Sequence, residues 1–305
     1  MHSLRRAEDI RLEPAYRGNS QSFSRCSVID ASTGSVHMGV GVCELKSGGT
    51  LDNHLHSFEE SFYVLEGEPV LILDGRATPL LPGACGLIPV GVQHAWQGPA
   101  KGSAKWIDMM APQPRANPEQ DTFFLGPALV REKGELDIRD PRSRHFFRMT
   151  DDDIDVEKLR VGSRVDAPKV SASMNTALLA YSGIALKMLV DQRLDAQLHT
   201  MFMVEYQLGG VAHPHDHPME ESYTIMHGEV EAVADGKRYT LKKGDVFWTG
   251  VGCVHAFYNT SKSTVRWLET QSPQLPDRHS YRFSRDWEYL KEKLAAKSAS
   301  RDKKG

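Results

Sequence analysis

The sequence predicts an all-β protein: two small antiparallel β-barrels, or jelly rolls, in tandem, joined by a polar linker and followed by a C-terminal helix. Three observations carry this. The chain repeats itself at a fixed offset, its apolar runs are short and strand-like, and Asp-Gly turns sit between them. The repeat is the strongest. His54 and His215, His56 and His217, Glu60 and Glu221, Gly67 and Gly228, Gly83 and Gly244, Gly91 and Gly252, and His94 and His255 are all 161 residues apart. Glu44 and Glu205, Asp74 and Asp235, Gly75 and Gly236, and Trp106 and Trp267 keep the same spacing. A gap-free repeat of this kind means that one structural unit of about a hundred residues occurs twice.

Within each unit, VHMGVGVCEL, SFYVLEG and EPVLILDG correspond to MFMVEYQL, ESYTIMHG and EVEAVADG, runs rich in β-branched and aromatic residues. Asp74-Gly75 and Asp235-Gly236 are hairpin signals, because both residues tolerate the left-handed backbone that a tight turn requires. Residues 1–21 form an N-terminal arm, 22–111 the first barrel and 172–275 the second. Between them, residues 112–171 read as linker, rich in Pro, Arg and Asp. Thr150, three residues before Asp153, marks the start of a short linker helix. The alternative, a calcium loop from Asp151, Asp152, Asp153 and Asp155, lacks the glycine and terminal Glu of an EF-hand. Residues 276–305 supply the helix SRDWEYLKEKLAAK and a basic tail, with Trp287, Tyr289 and Leu290 spaced for one docking face.

Composition narrows the function. The 305 residues are 40% hydrophobic and 25% charged, ordinary for a globular protein. A formal net charge of −3 offers no basic field for nucleic acid. No apolar run reaches the roughly 18 residues of a membrane span, so no membrane partner is expected. The N-terminus resembles neither a secretory leader nor a transit peptide. Four scattered cysteines, without a CxxC pair, fit a reducing, cytoplasmic setting.

The chemistry lies in the histidines. Side chains alternate along a strand, so His54 and His56 share one face, as do His215 and His217. His94 and His255 arrive from strands far along the chain. Strand parity selects Glu60 and Glu221 over their neighbours Glu59 and Glu220 as the acidic partner, with Phe62, Val64, Tyr223 and Ile225 turned inward beside them. Each unit thus offers three imidazoles and one carboxylate to a divalent transition metal, one ion per barrel. This donor set suits Fe(II), Mn(II), Ni(II), Co(II) or Zn(II), and the lack of cysteine donors argues against structural zinc. One carboxylate against a divalent ion leaves a site charge that favours an anionic, chelating small molecule. Glu60 and Glu221 are also the acid–base candidates. His213 extends the second cluster, either as a proton shuttle or as a surface histidine. Trp96, Trp106, Trp267, Phe257 and Tyr223 are expected in the barrel interiors, with Met201, Met203, Phe247 and Trp248 in the walls.

These residues also resemble a known family. G-x5-H-x-H-x3-E-x6-G followed by G-x5-P-x-G-x2-H-x3-N is the paired motif of the cupin superfamily, and both halves are similar to it, from Gly48 through His94 and from Gly209 through Asn259. Gly98 stands where Asn is usual and Gly250 where Pro is usual. The resemblance implies cupin-type barrels, a bicupin, with metal held by His54, His56, Glu60 and His94 and by His215, His217, Glu221 and His255. It leaves the reaction open among dioxygenases, decarboxylases, isomerases, aminohydrolases and binding proteins. Aromatic and methionine-rich walls point to a dioxygenase of an aromatic, enolic or dicarbonyl molecule, with Fe(II) the favoured ion. The alternative is a non-redox metalloenzyme or a metal-holding small-molecule-binding bicupin. The architecture also suggests a homodimer.

Overall fold

The computed structural model of the chain describes residues 1–115, 120–137, 139–154, 169–171, 176–179, 183–274 and 282–283. Apart from short 3-10 turns, the regular structure in these residues is β, arranged as two barrels. No helix among them is long and apolar enough to cross a membrane.

Tight turns set the strand pairing. Asp74 and Gly75 take φ of 49° and 80°, and Asp235 and Gly236 take 48° and 77°. Positive φ at both central residues produces the turn whose twist matches the flanking strands, and Val70–Leu73 pairs with Arg76–Pro79 while Glu229–Ala234 pairs with Lys237–Lys242. In the first barrel the 18-residue strand Gly39–His56 is long enough to serve both walls. Its beginning pairs with Ser103–Ala111 and Ser20–Ile29, and its end with His94–Gln97. In the second barrel the same length is divided between Thr200–Tyr206 and Val211–Asp216, in separate sheets.

Each barrel has its own aromatic core. Trp96 stacks on Trp106 at 4.7 Å with Phe62 edge-on at 5.2 Å. Tyr206, Trp267, Phe257, Tyr223 and Phe247 fill the second. Strand parity holds: Phe62 and Val64 belong to the first core, Tyr223 and Ile225 to the second. Met201, Met203 and Trp248, expected in a barrel wall, instead join Met38, Val40, Ile107 and Met109 in a third cluster where the two barrels meet. They lie on alternate positions to the inward residues and so face the partner barrel.

Glu59 and Glu220 explain how this joint is specified. Glu59 accepts hydrogen bonds from the backbone N–H of Gln197 and Leu198 at 2.7 and 2.9 Å. Glu220 accepts from Val36 and His37 at 2.8 and 3.3 Å, and from Ser35 Oγ at 2.6 Å. The partners are again 161 residues apart, so the joint is a pseudo-two-fold in which each barrel caps a turn of the other. His199 bridges Glu59 and Ser61 inside it.

The structure adds detail to three segments. The N-terminal arm is docked: His2–Arg5 pairs with Val246–Thr249 of the second barrel, and His2 bonds Asp235 and Tyr239. The segment 112–171 is not plain linker, since Thr122–Gly126 and Phe146–Arg148 extend the first barrel's sheet and Phe146, Met149 and Ile154 are buried. The second barrel's sheet in turn begins at Lys169, inside that segment. Thr150 and Asp153 do form the reciprocal cap, around a single 3-10 turn at Asp151–Asp153; the following residues of the expected helix, like the C-terminal helix, lie outside the described residues. Gly98 is required by packing, because a Cβ there would meet the Lys46 carbonyl oxygen at 2.0 Å. Its counterpart Asn259 uses its side chain to bond the carbonyls of Gln207 and Ser263.

Candidate metal centres

Both histidine–glutamate quartets assemble inside their barrels. In the first, His54 and His56 come from the end of Gly39–His56, Glu60 from the next strand, Glu59–Glu66, and His94 from the start of His94–Gln97. A register shift between Leu51 and His54 brings His54 opposite His94. The second barrel repeats this with a shift between Ala212 and His215, and His215 opposite His255.

The two constellations are nearly congruent. Ring centroids are separated by 4.1, 5.0 and 6.2 Å for His54–His94, His56–His94 and His54–His56. The second set gives 4.3, 5.0 and 6.0 Å. Donor atoms of His56, Glu60 and His94 lie within 4.8 Å of one another, as do those of His215, His217 and His255. His54 completes the first set through its contact with His94. Glu221 completes the second, its Oε2 lying 2.7 Å from His217 Nε2 and 3.4 Å from His255 Nε2.

Backbone carbonyls fix the imidazoles. Nδ1 of His54, His56 and His94 bonds the carbonyls of Asp52, Phe58 and Val92 at 2.7, 2.6 and 3.0 Å. In the second barrel the carbonyls of His213, Met219 and Cys253 take the same places at 2.7, 3.0 and 2.9 Å. A carbonyl only accepts, so each Nδ1 carries the proton and each Nε2 keeps a lone pair, the outer-shell arrangement of metal-binding histidines. Nε2 of His56 then faces Glu60 Oε2 at 3.1 Å, acceptor to acceptor. Buried His94 Nε2 has no hydrogen-bond partner at all. A cation at the centre satisfies these groups together, so the residues fit a divalent metal.

Electrostatics agree at three imidazoles, while at His217 burial is outweighed by the Glu221 carboxylate, which raises the imidazole above its usual value. Burial pushes His54 and His215 down to about 4, and holds His94 well below the usual imidazole range, which keeps all three neutral for coordination. Although burial alone would raise it, the neighbouring His217 and His255 hold Glu221 well below the usual carboxylate range.

The surroundings differ. A small cavity of about 10 Å³ touches the first centre, walled by Tyr16, Phe58, Trp96, Asp108, Met110 and Thr122 among others. Arg25 holds Asp108 with two hydrogen bonds of 2.6 and 2.7 Å and also lines the adjoining groove. In the second barrel the position of Arg25 is Leu186 and that of Asp108 is Glu269. Without a cation, burial and the Glu221 charge push Glu269 well above the usual range, so it keeps its proton. Phe62 is replaced by Tyr223, whose hydroxyl bonds both Glu221 and His255, and Met110 by Gln271, which donates to Glu221 at 2.6 Å.

His213 does not enter the group. It lies on Val211–Asp216, lends its carbonyl to His215, and has its ring 6.3 Å from that of Tyr258. His2, Asp235 and Cys253 form a third close set, but both nitrogens of His2 are engaged by Asp235 and Tyr239, which anchors the arm. Sequence reasoning missed Tyr16, Phe58, Arg25 and Asp108. The signal available for Arg25 and Asp108 was their divergence at the repeat offset.

Residues 41–110 and 202–270 match the family described as Cupin domain. Oxalate decarboxylase from Lactobacillus farciminis, in a formate complex, is similar in structure, with a TM-score of 0.63 at 16% identity over 93% of this chain and 89% of that one. Salicylate 1,2-dioxygenase from Pseudoaminobacter salicylatoxidans with gentisate gives 0.68 at 14% identity, over 89% and 81%. A putative glyoxylate-induced protein from Pseudomonas aeruginosa gives 0.62 at 14%, over 92% and 90%. No curated protein matches in sequence. At these identities the neighbours share the fold, and their reactions are their own. With a match to this family in each barrel, the chain carries two cupin domains.

Proposed function

We propose that the chain is a metal-dependent dioxygenase that acts in its first barrel on a small anionic molecule, aromatic or enolic. The observation that supports this most is the wall of Tyr16, Phe58 and Trp96 around His54, His56 and Glu60, with Arg25 and Tyr16 lining the adjoining groove. His54, His56, Glu60 and His94 would hold the metal, Fe(II) being favoured. A six-coordinate ion held by four protein donors supplies two open positions for a chelating substrate or for substrate with dioxygen. Tyr16, Phe58 and Trp96 close around the centre and exclude water. Arg25 is pinned by Asp108 and offers its remaining N–H groups to an oxyanion. Glu60 is the acid–base group nearest the open positions.

A second reading, a non-redox decarboxylase, is favoured by size: the cavity at the first centre is only about 10 Å³, far below the roughly 300 to 1,000 Å³ of drug-sized ligand sites, and suits a substrate of few atoms. The test is an oxygen-electrode screen of the iron-loaded protein against phenolic, dicarbonyl and short dicarboxylic acids. Substrate-dependent oxygen uptake that is lost in His56→Ala is expected. Carbon dioxide release without net oxygen uptake, or turnover under argon, would overturn the dioxygenase reading.

A further inference from the structure

The first barrel holds a second cavity, of about 190 Å³, which shares no wall residue with the metal centre. It lies between the hairpin of Val70–Leu73 with Arg76–Pro79 and the ring of Phe146, and is closed by Leu136, Arg142 and Ser143. In the second barrel side chains fill the equivalent place. Tyr239 stands there in the position of Thr78, with its ring 5.4 Å from that of His2 and 5.7 Å from that of Phe247. Leu4 is the counterpart of Phe146, because it pairs with Phe247 as Phe146 pairs with Gly86, and it packs on the same core as Tyr239. The first barrel leaves this space open.

Its wall is mostly apolar, with Leu71, Leu73, Leu80, Leu136 and Phe146, and its polar groups converge on one glycine. A Cβ on Gly134 would meet Arg76 Nε at 2.2 Å and Thr78 Oγ1 at 2.5 Å, so the bare glycine leaves both atoms uncovered and close enough together to meet one oxygen. Arg76 Nε is buried and has no hydrogen-bond partner among the described residues. A bound acceptor would satisfy it. The charges are already matched. Arg76 Nη1 donates to Asp140 at 2.6 Å, Arg142 donates to Asp140 and to Glu132, each at 2.9 Å, and exposed Asp74 adds a third carboxylate. No surplus of positive charge remains for an anion. We propose that this cavity binds a neutral small molecule with an apolar body and one oxygen that accepts from Arg76 Nε and Thr78 Oγ1. Apolar bodies of this size are small: a cavity of about 150 Å³ takes benzene, so this one takes a single ring with one substituent.

Fluorine NMR of 4-fluorobenzyl alcohol titrated with the full-length protein reads this binding directly. Saturable binding is expected, with 4-fluorotoluene, which lacks the oxygen, at least about tenfold weaker. Thr78→Tyr places the second barrel's residue in the cavity and should abolish binding. Thr78→Val keeps the shape without the hydroxyl, and should weaken the alcohol about tenfold while leaving 4-fluorotoluene unchanged, so the proposal remains testable if Thr78→Tyr does not fold. His54→Ala, at the metal centre, should bind the alcohol as the unaltered protein does. No saturable binding, equal binding of the alcohol and 4-fluorotoluene, or binding that survives in folded Thr78→Tyr would overturn the site. Loss of binding in His54→Ala would place the probe at the metal centre instead, and binding of 4-fluorobenzoate that Thr78→Tyr removes would overturn the neutral class of ligand.

Discussion

The first and second barrels hold the same four side chains in nearly the same geometry, yet the walls around them have diverged. Histidine orientation is set by main-chain carbonyls at equivalent turns, which impose the same constraint whatever side chains those turns carry: Asp52 and His213 do the same work, as do Val92 and Cys253. Wall positions are under no such constraint. Where the first barrel keeps Phe62, Met110 and an ion pair of Arg25 with Asp108, the second keeps Tyr223, Gln271 and a protonated Glu269. A duplicated site can thus preserve its donors while its walls diverge.

The largest break in this parallel is expected in activity. His56→Ala should lower turnover by at least about 100-fold, since even outer-shell partners of metal ligands cost 10- to 100-fold. His217→Ala should change turnover per folded chain far less. Steady-state rates on both variants check this, and equal losses would show that both barrels turn over.

Arg25→Leu comes next. It strands Asp108 in the first core and should destabilise the protein by about 3–5 kcal/mol in urea denaturation. Arg25→Leu with Asp108→Leu should recover most of that, because the second barrel already carries Leu at the Arg25 position. Failure of the double variant to recover would mean that the pair acts through packing.

Acid reaches one matched imidazole in each barrel. His54 and His215 have folded values of about 4 against an ordinary 6.5, so the unfolded chain binds more protons between these limits. Stability of the metal-free protein is therefore full above about pH 6.5 and falls as pH drops toward 4, by at most about 3 kcal/mol per imidazole. Denaturation midpoints across this window check the slope. His54→Gln and His215→Gln should each remove one imidazole's share of it, buried His94 supplying a further part.

The smallest effects test the joint. Glu59→Ala and Glu220→Ala each leave two part-buried N–H groups without a carboxylate acceptor, and since Gln197 and Val36 reach the surface the loss is about 1 kcal/mol per group. Thermal unfolding should show similar losses for the two, because the clamps are related by the pseudo-two-fold.

Much of this was legible in the sequence because the repeat is gap-free. It fixed the barrels, both quartets and, by strand parity, the choice of Glu60 and Glu221 over Glu59 and Glu220. What it hid were long-range pairings that follow no period. Nothing local says that His2–Arg5 joins the second barrel, or that Thr122–Gly126 closes the first beside His54. The expected wall residues Met201, Met203 and Trp248 were misplaced because an apolar strand buried on both faces does not reveal which face is the interior. Arg25 looked like any surface arginine, since neither Asp108 nor the bare backbone of Gly41 beneath it is near in sequence.

The pairing of the two quartets as metal centres is tested most directly by counting metal ions per chain in protein purified without added metal, beside His94→Ala, His255→Ala and the double variant. Two ions in the unaltered chain, one in each single variant and none in the double variant are expected. Two ions retained in the double variant would contradict the assignment of both sites.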